Sequence, residues 1–211
     1  MTGQTPLLEA KNLQCERDDR ILFENLSFSV DPGDVVQIEG PNGAGKTTLL
    51  KLLCGLAPLR QGELFWRGER MSQARPQFLS SLLYLGHKTG VKELLTPLEN
   101  LRAWCAQRED VNEERMMAAL ETVGLAGYEY SPCNSLSAGQ QRRAALARLH
   151  VSSAPLWVLD EAFTAIDKKG VAQLEALLRE KANIGGAVIL TTHHSLHLSG
   201  EVRRIQLGAA S

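Results

Sequence analysis

Eight residues, Gly40-Pro41-Asn42-Gly43-Ala44-Gly45-Lys46-Thr47, leave this chain few folds to choose from. They fit G-x-x-x-x-G-K-[ST], a loop whose backbone N–H groups turn inward around phosphate oxygens. Glycine permits that turn because no Cβ stands in the way. Before the loop, Val35-Val36-Gln37-Ile38 is short, apolar and β-branched and predicts a buried strand. After it, Thr48-Leu49-Leu50-Lys51-Leu52-Leu53 predicts a helix. Strand, glycine loop and helix in that order are the context the motif requires, and the helix N-terminus adds its partial positive charge. Lys46 is placed to reach the β- and γ-phosphates of a nucleotide, and the Thr47 hydroxyl to bind Mg2+. A glycine-rich turn that binds nothing is the competing reading; every anchor position is filled and both flanks are right, which argues against it.

The rest of the chain alternates strands with helices. Leu7–Leu13 opens as a strand, Arg17-Asp18-Asp19-Arg20 reads as a charged turn, and Leu26–Val30 alternates like a half-buried strand. Asp31-Pro32-Gly33-Asp34 is a turn, and Gly62–Trp66 and Leu82–Leu85 are further strands. From Thr96 to about Val151 the pattern is helical. Thr96 is a candidate N-cap, with Pro97 at the first helical position and Glu99 three residues on, and Val111–Val123 is a second amphipathic stretch. Leu156–Glu161 returns to strand. Lys168–Ala182 reads as a helix with Val171, Leu174, Leu177 and Leu178 on one face, followed by strands at Ala187–Thr192 and Val202–Leu207. This order predicts a mainly parallel sheet with helices on both faces, as one domain over 1–211. Residues 1–86 and 151–211 form its α/β core, and 87–150 form a helical insertion.

Bulk properties exclude more than they propose. With 211 residues, 44% hydrophobic and 22% charged, the composition is ordinary for a globular chain. A net charge of -1 offers no footprint for nucleic acid or an anionic membrane, so no nucleic-acid partner is expected. No apolar run reaches the length of a membrane span, and Met1–Pro6 lacks the features of a secretory signal. Membrane contact is therefore expected only through a partner, on the cytoplasmic side. Cys15, Cys54, Cys105 and Cys133 are too widely spaced for a zinc site or a disulfide framework.

Four further stretches narrow the chemistry. Leu156-Trp157-Val158-Leu159 ends in Asp160 and Glu161, which places two carboxylates at the carboxyl edge of the sheet. Asp160 suits Mg2+ and Glu161 suits polarising an attacking water. Leu136-Ser137-Ala138-Gly139-Gln140 precedes a helix that Ser137 can cap. This stretch resembles the signature Leu-Ser-Gly-Gly-Gln of the ATP-binding cassette (ABC) ATPases. Thr164-Ala165-Ile166-Asp167 resembles that family's D-loop, and His193 matches its switch histidine. His193 and His197 also stand at a metal-ligand spacing. No acidic partner completes a zinc-protease pattern, however, and the two residues follow a strand.

The resemblance runs through nearly the whole chain in the family's order. It implies a P-loop NTPase fold, with a RecA-like mainly parallel sheet, antiparallel strands at the N-terminal side and an inserted helical subdomain carrying the signature. It also implies an ATPase that uses ATP and Mg2+ and works as a head-to-tail homodimer. Gly40, Pro41, Asn42, Gly43, Ala44, Gly45, Lys46, Thr47 and Thr48 of one subunit would hold the nucleotide, with Ser137, Gly139 and Gln140 supplied by the other. Thr47 and Asp160 would serve the metal, and Lys46, Glu161 and His193 would be catalytic.

Three positions depart from the family pattern: His87 stands where a glutamine is usual, Ala162 where a proline is usual, and no aromatic between Met1 and Ile21 can stack on adenine. Arg17 lies at that last position, either as a guanidinium stacked on the base or as a solvated surface arginine. Cys15–Asp18, Leu85–Lys92, Leu136–Arg143 and Phe163–Asp167 are similar to the cassettes of the bacterial cytochrome c maturation type. That likeness implies integral membrane partners, a peripheral place on the cytoplasmic face of the inner membrane, and a part in haem export or in release of a haem-loaded chaperone. Another exporter's cassette and a soluble, non-transport ABC protein are the alternatives. A phosphate-loop kinase leaves Leu136–Gln140 unexplained.

Overall fold

The computed structural model describes residues 5–17, 20–106, 111–197 and 200–208; Asp18 and Asp19, the centre of the expected charged turn, lie outside them. The chain forms two compact units, one of Met1–Tyr84, Ala154–Glu161 and Glu175–Ser211, the other of Leu85–Ser153 and Ala162–Leu174.

The first unit contains β1 (Leu8–Arg17), β2 (Arg20–Val30), β3 (Val35–Glu39), α1 (Lys46–Leu53), β4 (Gln61–Trp66), β5 (Glu69–Arg70) and α2 (Met71–Ser80). It continues with β6 (Leu82–Leu85), whose last residue falls to the second unit, β7 (Leu156–Asp160), β8 (Ala187–Thr191) and β9 (Val202–Gln206). Two sheets form: β2-β1-β4-β5, antiparallel, and β6-β7-β8-β3-β9. In the second sheet β3 runs parallel to both β8 and β9, and β7 runs parallel to β8 from Leu156↔Ala187 to Asp160↔Thr191. Every residue of β7 and β8 is buried, as expected of strands covered on both faces.

Period-2 alternation sorts those strands. Val36 and Ile38, Leu156 and Val158, and Ala187 and Ile189 all point into one apolar cluster. Leu49, Leu50, Leu52 and Leu53 of α1 join the same cluster, as do Leu8 and Leu13 of β1 and Leu64 and Trp66 of β4. The helix that follows the glycine loop is thus locked into the core by four leucines. The antiparallel strands are longer than apolar alternation predicts, because pairing continues through polar residues to Arg17↔Arg20. Neither β5 nor α2 is anticipated from the sequence: β5 is two residues long, and α2 contains Pro76 and buries only Ala74 and Phe78.

The second unit is helical: α3 (Pro97–Cys105), α4 (Glu113–Thr122), a 3-10 turn at Cys133–Ser135 and α5 (Ala138–Val151). Leu98, Leu101, Met116, Leu120, Ala147 and Val151 meet in its core. The predicted cap is present at Thr96. Its Oγ1 accepts the Glu99 N–H at 3.2 Å, and Glu99 Oε2 accepts the Thr96 N–H at 2.8 Å. Asn100, only 6% exposed, is the buried polar hub of this unit. Its Oδ1 accepts the Lys92 N–H at 2.8 Å, while its Nδ2 donates to the carbonyls of Lys92 and Thr96 at 3.0 Å. The last helix, α6 (Lys168–Asn183), is divided between the units after Leu174. In its first-unit part, the Lys181 ammonium stands 4.9 Å over the Trp157 ring of β7, and burial lowers that lysine's pKa.

Candidate active site

Parallel strands end at the same edge of a sheet. With β7, β8 and β3 adjacent, three separate stretches of sequence arrive there together: the glycine loop after β3, Asp160 and Glu161 at the end of β7, and Thr191–His193 at the end of β8.

The loop is shaped by close approach. Gly40 has φ 146, and a Cβ there would lie 2.6 Å from the Leu207 carbonyl oxygen. The helix α1 opens at Lys46 with no side-chain cap and no acidic residue in its first turn, so its leading N–H groups face the loop as anion donors. The Lys46 ammonium folds back across the loop and donates to the carbonyls of Gly40 at 2.6 Å and Pro41 at 3.2 Å. Lys46 and Gly40 line a cavity of 340 Å³ with Gln37, His193 and Arg204. A larger groove of 580 Å³, lined by Leu52, Leu56, Pro58, Leu64 and Met71, contains none of the motif residues.

Beside the loop, Thr47 Oγ1 donates to Asp160 Oδ1 at 3.2 Å. Asp160 is 1% exposed. A hydroxyl and a carboxylate brought together are hard oxygen donors of the kind Mg2+ takes, since that ion uses one or two protein ligands and keeps several waters. The donor set therefore fits the metal. The buried charge is felt nearby: the Tyr84 phenol is pushed up to about 12, first by burial and then by the negative charge of Asp160. Glu161 follows in a left-handed conformation, φ 54, with its Oε1 3.7 Å from His193 Nε2. The second histidine of the run turns elsewhere. His194 Nε2 lies 3.4 Å from Glu175 Oε1 of α6, and the same oxygen accepts the His197 N–H at 2.8 Å. Among the described residues no cluster of three or more His, Cys, Asp or Glu side chains could hold a metal.

In the second unit Ser137 caps α5. Its Oγ accepts the Gln140 N–H at 3.2 Å, and Gln140 Oε1 accepts the Ser137 N–H at 2.9 Å. Gly139 is closely approached: a Cβ there would stand 3.1 Å from the Ala165 carbonyl oxygen, which would have to give by a few tenths of an ångström. Two arginines of α5 grip the segment after β6, Arg142 at the Gly86 carbonyl (3.2 Å) and Arg148 at the Gly90 carbonyl (2.9 Å). His87 is exposed between them. Asp167 Oδ1 accepts the Gly170 N–H at 2.8 Å at the start of α6. Arg17 is exposed at the end of β1 in the first unit, and Ala162 is fully buried.

The motif residues thus divide: Gly40–Thr48, Asp160, Glu161 and His193 belong to the first unit, and His87, Ser137, Gly139 and Gln140 to the second. Sequence reasoning passed over Thr191 and Glu175. The signal for each was a polar residue inside an apolar pattern: Thr191 ends a buried strand, and Glu175 shares the inward face of Leu174 and Leu178.

Residues 23–164 match the family described as ABC transporter. The chain is 97% identical over 211 residues, the whole of both chains, to the cytochrome c biogenesis ATP-binding export protein CcmA of Hahella chejuensis. It is 54% identical over 189 residues, 90% of each chain, to the protein of the same name from Pseudomonas putida. Among solved structures, the ATP-binding subunit of an ABC transporter superposes with a TM-score of 0.79 at 27% identity, over 89% of this chain and 79% of that one. An ATP-binding cassette solved as a dimer in a post-hydrolysis state with ADP and Pi superposes at 0.81 over 95% and 94%; at 24% identity it speaks for the fold alone. On these matches the chain belongs to the ABC transporter family, in the branch of the cytochrome c biogenesis ATP-binding export proteins.

Proposed function

We propose that this chain is the ATP-hydrolysing subunit of an ABC exporter in c-type cytochrome biogenesis, driving haem export or the release of a haem-loaded chaperone. The observation that carries the reading is the convergence at one sheet edge of the Lys46 loop, the Thr47–Asp160 pair and the Glu161–His193 pair. The backbone N–H groups of 40–48 and the Lys46 ammonium hold the β- and γ-phosphates of ATP. Thr47 and Asp160 hold Mg2+, which when bound neutralises charge on the phosphate oxygens. Glu161 accepts a hydrogen bond from the attacking water and aims it at the γ-phosphorus. A new P–O bond forms to that water, the bond to the β–γ bridging oxygen breaks with its electron pair left on ADP, the water's proton passes by way of the Glu161 carboxylate to a phosphate oxygen, and ADP and phosphate leave. His193 steadies the γ-phosphate oxygens as their charge shifts.

Two copies pair head to tail, so that Ser137, Gly139 and Gln140 of the partner subunit complete the site. Residues 87–150 act as the inserted subdomain, and His87 lies in the segment that senses the integral membrane subunits. Among the described residues no helix is long and apolar enough to cross a membrane, which suits attachment to the cytoplasmic face of the inner membrane through those subunits. Arg17 stacks on adenine in place of the usual aromatic.

The test is ATP turnover by Glu161→Gln. Binding is retained and hydrolysis falls by roughly 10²-fold or more; turnover within a few-fold of wild type would sink the assignment. Arg17→Ala weakens ATP binding with little change in the rate at saturation, and Arg17→Tyr restores affinity. His87→Ala keeps nucleotide binding but loses the response of the ATPase to its membrane subunits. Cells lacking the gene make haem but no c-type cytochromes; normal c-type cytochromes in such cells would favour a different exporter.

A further inference from the structure

Thr191 is 0% exposed at the end of a strand whose other residues, Ala187–Leu190, are all apolar. A buried hydroxyl is costly unless it is bonded, and this one is used twice. Thr191 Oγ1 donates to Asp160 Oδ1 at 2.8 Å and accepts the Glu161 N–H at 3.0 Å. The same N–H also reaches the Thr191 carbonyl oxygen at 3.1 Å. The register explains the meeting, because Thr191 is the parallel-sheet partner of Asp160.

Both recipients need holding. Asp160 Oδ1 is also the atom that accepts from Thr47, so the carboxylate rotamer sets where the hard-oxygen pair points. Glu161 has φ 54, a left-handed conformation that a residue with a long side chain adopts only when its surroundings enforce it. The bonds at its N–H are that enforcement. A single hydroxyl therefore ties the direction of one carboxylate to the backbone twist that aims the next.

We propose that Thr191 is a positioning residue for ATP hydrolysis: it fixes the Asp160 carboxylate and the Glu161 backbone relative to one another, and touches neither nucleotide nor water itself. The inference rests on the ATPase reading above. Thr191→Val keeps the shape, the strand and the carbonyl bond but removes the hydroxyl. Turnover then falls by roughly 10–100-fold, the scale of losing a group that orients a metal ligand. The Mg2+ concentration for half-maximal activity rises several-fold. The ATP concentration for half-saturation stays within about two-fold, since the Lys46 loop is untouched. Thr191→Ser restores the hydroxyl and most of the activity.

The experiment is steady-state ATP turnover by the protein with its membrane subunits, titrated separately with ATP and Mg2+, for wild type and both variants. Nucleotide binding without hydrolysis serves as the check of folding. Should Thr191→Val fail to fold, Thr191→Cys, with a weaker donor of similar size, gives an intermediate loss and the same Mg2+ shift. Wild-type turnover and Mg2+ dependence in Thr191→Val would overturn the proposal, and so would a serine variant as impaired as the valine one. A wild-type protein that turns over no ATP overturns the ATPase reading and this inference with it. An active wild type with an indifferent Thr191→Val overturns only the inference.

Discussion

In the first unit the side chains of the candidate site stand where apolar strands end; in the second, polar side chains reach inside and hold the backbone directly. β7 and β8 are buried along their whole length, and their register alone delivers Asp160 beside Thr191. Among its described residues the second unit is built of helices instead. Its loop at 92–96 is held by the Asn100 amide, its helices begin at side-chain caps, and the 86–90 segment hangs on two arginines. A shape set by a sheet tolerates the loss of a functional side chain. A shape set by individual side chains does not.

The largest effect expected from this difference is functional and confined to the first unit. Lys46→Ala should lower ATP turnover by roughly 10²-fold or more while leaving the urea midpoint near wild type, because the residue lies outside the apolar cluster. A marked loss of stability in that variant would break the comparison. Next comes Asn100→Leu. It strands the Lys92 N–H and frees several carbonyls, and should cost roughly 3 kcal/mol of unfolding free energy by urea titration. A change below the error of that measurement would show that the second unit does not depend on its hub. Thr96→Ala is smaller: removing one cap should cost about 1 kcal/mol, and the value should add to that of a distant surface change.

The smallest effect is a pH dependence. Hydrogen bonds from the Thr96 backbone and side chain hold the Glu99 carboxyl below its ordinary 4.5. The folded value is depressed, so this contribution is fully present above the unfolded value and is lost as pH falls through the folded one. Glu99→Gln keeps a capping acceptor that does not titrate. The stability gap between wild type and variant should therefore be flat near neutrality and should shift against wild type only below about pH 4.5. A gap that stays constant into acid would remove the capping box from the list of devices that hold the second unit.

Legibility followed distance along the chain rather than the division into units. Motifs at strand ends could be read because each is local: loop, flanking strand and helix are contiguous, and Asp160–Glu161 closes an apolar run. The caps at Thr96 and Ser137 were legible because both partners lie within three residues. What stayed hidden depends on partners remote in sequence. Thr191 bonds to residues 30 and 31 positions away, and Arg142 reaches a carbonyl 56 positions away. Thr191 stood out as a polar residue closing an apolar strand, which could not say to what it bonds, and Arg142, between Gln141 and Arg143, did not stand out at all. The helix α2 was missed for a different reason: with Pro76 inside it and two buried residues, it carries almost no periodic signal.

The close approach of Gly139 to Ala165 bears on how this family's signature can drift. At the preceding position, Ala138 stands exposed where the usual signature has glycine. One residue later a methyl group would press on a carbonyl whose own residue is already left-handed, φ 61, with little freedom to retreat. The two central positions of the signature are thus unequal under mutation. The first carries alanine in this chain on an exposed position. At the second, the Ala165 carbonyl would have to give by a few tenths of an ångström, so a change near residue 165 should alter how well a substitution at Gly139 is tolerated.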